Sequence, residues 1–327
     1  MLSCETKIKV TVKKEGAYLY SGFQPQPTSN ILSSDDSTKV VELSWNDEIV
    51  TCENMFKDCQ DILSIDFLDF DTSKITSMYG MFSSCISIKS LDLSKFDTSK
   101  VKFMDYMFSN CGELTSLNLR SFVTSNLLSM NFMFINCGGL TSLNITNFVT
   151  SGVTEMHGLF SGCGNLISLN LSNFDTSNEK VMDYMFNGCE KLISLDISSF
   201  RTPKVKDMKY MFSDCGKLTS LVLSNFNTSS VTDMECMFNG CGNLILLNLS
   251  NFNTSSVTNM KSMFNSCGNL VSLDLSNFDT SKVGTTDDMF FSLNALSYMD
   301  LLNYEGGNIF DSLNPSVKLI VCSIILK

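Results

Sequence analysis

The sequence predicts an α/β repeat solenoid, with a parallel β-sheet on one face and short helical turns on the other. Three observations predict it. Met-Phe pairs begin at 55, 81, 107, 133, 185, 211, 237, 263 and 289, with Leu-Phe at 159, so every interval is 26 residues. A fixed period without insertions marks coils stacked one on the next. Within each copy a segment such as Ser90-Leu91-Asp92-Leu93 alternates polar and apolar, the two-residue period of a strand. A second segment, V-x-x-M-x-x-M-F, spaces its apolar residues at three and four, which suits one short helical turn.

The elements follow in chain order. Residues 1–50 break the period and are expected to form an N-terminal cap. There "KIKVTVKK" reads as a strand, "QPQPTSNILSSDDS" as a loop, and "VVELSWNDEIVTCENMF" as a degenerate first coil. Ile49 and Cys52 fall in the Val and Met columns of that coil, and Trp45, the only tryptophan, is placed to plug the open end. Residues 51–304 are the solenoid of about ten repeats, and 305–327 the C-terminal cap, with "KLIVCSIILK" as a capping strand or helix. Atypical ends are needed because a bare end exposes core and strand edge.

Columns define inside and outside. Phe70, Phe96, Phe122, Phe148, Phe174, Phe200, Phe226, Phe252 and Phe278 share one repeat position, continued by Tyr304, and are expected to be a buried aromatic spine. The methionines from Met78 to Met260 pack the remaining gaps, as a flexible thioether does. The Ser column (Ser64 to Ser272) and the Asx column (Asp66 to Asp300) face outward from the sheet.

The phrase L-x-x-L-x-L, with the aromatic-x-x-Cys corner of "MFSSC" or "MFNGC" and the "LSNFDTS" segment, resembles the BspA-like leucine-rich repeats over about residues 51–304. The resemblance implies a curved leucine-rich-repeat solenoid. It also implies attachment to host proteins or other cells, and hence a place at the cell surface or outside it. No leader, lipobox or wall anchor is visible here, so the surface location is implied by resemblance alone; the alternative is the cytoplasm.

Candidate chemistry is sparse. Nine of the 13 cysteines occupy one position, Cys59 to Cys267. No C-x2-C spacing occurs, so they read as free buried thiols at a corner, with rung-to-rung disulfides as the alternative. A Thr column, Thr72 to Thr280, follows Asp or Asn in most copies and is expected to bond local backbone, an ice-ordering surface being the alternative. His157, the only histidine, takes a variable slot that reads as exposed, and no paired carboxylate stands out from its column. No catalytic residue, metal or cofactor is therefore expected. A residue repeated on every rung is a lattice element.

The outward rows fail at two nearby points. Val222 stands where other rungs carry Asp or Asn, and Leu246 where they carry Ser. Drift explains single exposed apolar residues. The sharper expectation is an apolar centre of a binding patch, ringed by Asp196, Ser220, Asn248 and Asp274. The expected function is non-enzymatic binding of a protein or glycan partner in adhesion or recognition. The alternative is a structural subunit that self-assembles into an oligomer or filament. A net charge of −11 without a Lys/Arg cluster argues against nucleic acid. The lack of an 18-residue apolar run predicts no transmembrane helix.

Overall fold

The computed structural model describes residues 6–12, 27–34, 38–45, 47–302 and 317–321. From about Ile49 onward the chain winds as a β-solenoid in which each coil lies on the previous one in register. Ser90 pairs in parallel with Ser116 and Leu91 with Leu117, and side chains repeat their bonds at the 26-residue offset, as in Thr115 Oγ1 to Lys89 O.

The entrance is an antiparallel sheet. Strands β1 (Thr6–Val12), β2 (Thr28–Ser34), β3 (Lys39–Trp45) and β4 (Ile62–Phe67) are ordered β2-β3-β1-β4. β4 belongs to the first coil, and β1 runs antiparallel along its edge, Ile8 opposite Phe67 and Val10 opposite Ile65. Alternation decides the face of β1: Ile8, Val10 and Val12 are buried while Lys7, Lys9 and Thr11 are not. The segment read as a loop contains β2, because an outer strand needs only backbone pairing with β3 to form. Trp45 lies buried in the same core as Ile49 and Cys52.

Along the solenoid the strand face carries β5 (Ser90–Asp92), β6 (Ser116–Asn118), β7 (Ser168–Asn170), β8 (Ser194–Asp196), β9 (Ser220–Leu221), β10 (Leu246–Leu247), β11 (Ser272–Asp274) and β12 (Tyr298–Leu301), which form short parallel sheets β5-β6, β7-β8, β9-β10 and β11-β12. In the tail, β13 (Lys318–Val321) pairs in parallel with β12. Tyr304 and most of the tail lie outside the described residues.

The helical turns expected on the other wall are not there: among the described residues no helix occurs. Two left-handed residues per coil prevent one. Asn54 and Asp58 have φ of 56° and 60°, and the same two positions recur as Tyr106 and Asn110, Phe132 and Asn136, or Tyr210 and Asp214. A left-handed residue ends a right-handed helical turn. The wall is instead a run of overlapping β-turns. Met55, Lys57 and Cys59 donate their N–H groups to Cys52, Asn54 and Phe56 within the coil, at 3.1–3.2 Å. The intervening N–H groups of Cys52, Asn54, Phe56 and Asp58 go to Ser77, Tyr79, Met81 and Ser83 of the next coil. About half of the wall's amides thus stitch coils together, whereas a helix directs the amides beyond its first turn to its own carbonyls. The apolar spacing is the same either way, since turns and helices both bring one face inward every three to four residues.

Two aromatic columns fill the core. The Phe96 column is buried from Phe70 to Phe278. The Phe of the Met-Phe pair stacks coil on coil, for example Phe134–Phe160 and Phe160–Phe186 with centroids 5.8 Å apart and rings within 9° of parallel. The threonines are buried too, and from Thr72 to Thr254 each hydroxyl bridges two coils. Thr176 Oγ1 donates to Arg201 O at 2.7 Å and accepts from Arg201 N at 2.8 Å. A buried row cannot order surface water, so the ice-ordering alternative falls.

Candidate functional site

The strand column that alternates inward is leucine, and what it leaves outward is the sheet face. β9 and β10 pair in parallel, Ser220 beside Leu246 and Leu221 beside Leu247. Val222 follows two residues after Ser220, so it lies diagonally across from Leu246. The two side chains are 64% and 63% exposed, the largest exposures among the large apolar residues described. Ser220, Asn248 and Asp274 are exposed around them, while Asp196 on β8 is half-buried.

The replacement at Val222 has a local cost. In the neighbouring coils the Asx side chain caps the turn after the strand: Asp196 Oδ1 accepts from Ser198 N–H at 3.1 Å, Asn248 Oδ1 from Ser250 and Asp274 Oδ1 from Ser276 at 3.0 Å. Valine has no acceptor, so this coil goes without that bond.

The face is more apolar than two residues. Ile167, Ile193, Ile245 and Val271 are 50%, 58%, 47% and 42% exposed. They share the position just before the Ser column, where other coils carry Leu63, which is half-buried, and the polar Lys89, Thr115, Thr141, Thr219 and Ser297. Backbone bonds stack them directly: Ile193 N–H to Ile167 O at 2.9 Å, Val271 N–H to Ile245 O at 3.3 Å. Sequence reasoning missed this row because a strict two-residue period turns it inward. The chain bends between Leu192 and Ser194, leaving Ile193 and Ser194 both exposed. Reading the column down the repeats, rather than each strand along its length, would have shown the switch from Thr and Lys to Ile and Val.

The other candidate chemistry settles into structural roles. The corner cysteines are free and buried. Each thiol from Cys85 to Cys267 points at a phenylalanine carbonyl of the preceding coil, at 3.0–3.3 Å. Burial raises the Cys111 and Cys163 thiols to about 12, so neither is a nucleophile at neutral pH. His157 is half-buried rather than free in solvent. Its Nδ1 lies 2.6 Å from Asp183 Oδ1, and that carboxylate holds the imidazole above its usual pKa. Lys209 completes the chain, 3.6 Å from Asp183 and 2.7 Å from Asp207. Among the described residues no group of three His, Cys, Asp or Glu is arranged to hold a metal ion, and no helix is long and apolar enough to cross a membrane.

Comparison with known proteins adds a family. No curated protein matches this chain. Among solved structures a match is the crystal structure of a TLR13–ssRNA13 complex, 16% identical, covering 70% of this chain and 45% of that one, with a TM-score of 0.17. This chain therefore spans less than half of that protein, and at such a score the likeness carries no structural argument. A family model matches residues 35–142, 130–244 and 217–309, overlapping windows that together run the length of the stacked coils. The chain belongs to the family described as Mycoplasma protein of unknown function, DUF285.

Proposed function

We propose that the protein is a non-enzymatic binding module of the BspA-like leucine-rich-repeat kind. It presents its sheet face to a protein or glycan partner in adhesion or recognition, at the cell surface or outside the cell. One observation carries this reading. The lattice repeats almost every column from coil to coil, yet on the sheet face Val222, Leu246, Ile193, Ile245 and Val271 replace polar residues within neighbouring coils and stay exposed. Nothing in the lattice requires them, and contiguous exposed apolar surface marks contact sites. The rim of Asp196, Ser220, Asn248 and Asp274 fits the polar border of such a site.

The test pairs two baits in a pull-down from the native environment. A partner must bind the wild-type chain and be lost from Val222→Asn/Leu246→Ser with folding unchanged. Equal capture by both removes the patch. The second reading, a self-assembling subunit, rests on the same apolar residues meeting another copy. Size exclusion with light scattering separates them: a monomer at micromolar concentration supports the binding module, whereas filaments or large oligomers that the double substitution dissolves support assembly.

A further inference from the structure

One column of the turn wall is aliphatic in coil after coil: Ile75, Val101, Leu127, Val153, Val205, Val231 and Val257 are all 0% exposed. In a single coil the same position is Glu179, and it too is 0% exposed. Neither of its carboxyl oxygens has a hydrogen-bond partner of full geometry. The backbone donor turned toward it is Met156 N–H, from the preceding coil.

That amide is itself out of pattern. In neighbouring coils the equivalent amide bonds the carbonyl one coil on, Met130 N–H to Glu155 O at 3.1 Å and Met182 N–H to Asp207 O at 2.9 Å. The bond from Met156 to Val181 is missing, and so is the bond from Lys180 N–H to Thr154 O. The bridge column shows the same gap: Ser129 pairs with Glu155 and Val181 with Asp207, but Glu155 does not pair with Val181. Along this bridge column of the turn wall, from Ser77 to Thr285, the stitching between coils therefore fails at one place, and Glu179 is buried there. The groups facing it are His157 and Glu155 from the preceding coil and Lys180 from its own. Asp183 and Lys209 reach it only through His157.

We propose that Glu179 makes this boundary, Thr154–Met156 against Lys180–Met182, a proton-controlled seam that opens before the rest of the solenoid when the carboxyl group ionises. Burial supplies the driving force, because a charged carboxylate without partners is far costlier inside than the neutral acid. Burial pushes the Glu179 carboxyl up to about 8, from 4.5 for an ordinary glutamate. The folded coil therefore keeps a proton that the opened coil releases. Its stabilising effect is full below 4.5 and is lost progressively as pH rises to about 8. His157, raised by Asp183, acts in the same direction, since its contribution is lost as pH rises through its folded value. The seam lies between the coils that carry Ile167 and Ile193. If that row is the contact surface proposed above, opening disrupts it, and a proton becomes a regulator of binding. The seam itself does not rest on that reading.

The buried thiols give each coil its own reporter, Cys163 and Cys189 beside the seam and Cys111 and Cys241 away from it. The native chain is pulsed with a thiol reagent between pH 5.5 and 8.5 and the labels are located by peptide mass. The distant cysteines in the same molecule cancel the reagent's own pH dependence. Labelling at Cys163 and Cys189 relative to Cys111 and Cys241 should rise about tenfold per pH unit up to about pH 8, one proton being released per opening. In Glu179→Val, which restores the column, and in the neutral isostere Glu179→Gln, the ratio should be flat below pH 6.5, the range in which His157 holds its proton in both the closed and the opened coil. A flat ratio in the wild type below pH 6.5, or a rise there that survives in either variant, overturns the proposal; neither outcome bears on whether the sheet face binds a partner.

Discussion

Phe160→Ala measures how much of the stability sits in the inner aromatic stack. The ring is fully buried, and its faces are covered by Phe134 and Phe186, each 5.8 Å away and nearly parallel. Truncating a buried phenylalanine costs about 3–5 kcal/mol, through lost transfer energy and the cavity left behind. Two ring pairs disappear with one side chain, each worth roughly 0.5–1.5 kcal/mol beyond area, so the upper part of that range, about 4–5 kcal/mol, is expected. The backbone roles survive, because the Phe160 N–H bond to Met185 O and the Cys189 thiol contact to Phe160 O do not involve the ring. Urea unfolding followed by far-ultraviolet circular dichroism is the assay. In a stacked array each coil touches only its neighbours, so the loss appears either as a lower midpoint of one transition or as an early transition of the coils around 160. Phe103→Ala is the control: that side chain is 41% exposed on the turn wall, and its loss should stay within about 0.5 kcal/mol. A Phe160→Ala chain no less stable than Phe103→Ala would refute the assignment of this column to the core.

Further outcomes follow from the same structure. Thr176→Val removes a buried hydroxyl that both donates to and accepts from the Arg201 backbone, leaving that carbonyl and amide without their partner; calorimetry should show a loss of about 1–3 kcal/mol. Gly158→Ala, at φ +51° with its added methyl 2.4 Å from the Phe132 ring, should lower the melting temperature more than Gly112→Ala, where a methyl meets nothing within 4 Å. Val222→Asn/Leu246→Ser should leave the melting temperature nearly unchanged, since both side chains face solvent; a large loss would show that the strand faces are misassigned. At pH 8, Glu179→Val should raise the unfolding free energy by about 1–4 kcal/mol, as replacing buried charge with a packed aliphatic does, and the gain should shrink toward pH 4.5.

The 26-residue period determined that the chain stacks in register, and the columns determined most of what is inside. Phe, Leu, Met and Cys positions could be assigned because a residue kept on every coil answers the same environment each time, whereas the Thr column, expected to bond local backbone, is buried and bonds the next coil instead. The sequence also carried, unread, the left-handed positions of the turn wall: Asn110, Asn136, Asp214 and the glycines at 162, 188 and 240 share one column. That composition distinguishes a turn from a helix where hydrophobic spacing does not. Glu179 was equally legible as the one acid in an aliphatic column, but its partners were not. Only the coils laid together show that Met156 loses its carbonyl, that His157 meets Asp183, and that Ile193 turns outward beside Ser194. Those outcomes depend on where a bend falls and which amide a neighbouring coil leaves free, and such contacts exist only between residues far apart along the chain. A repeating sequence fixes the average coil. The departures from it acquire their chemistry from the coils on either side.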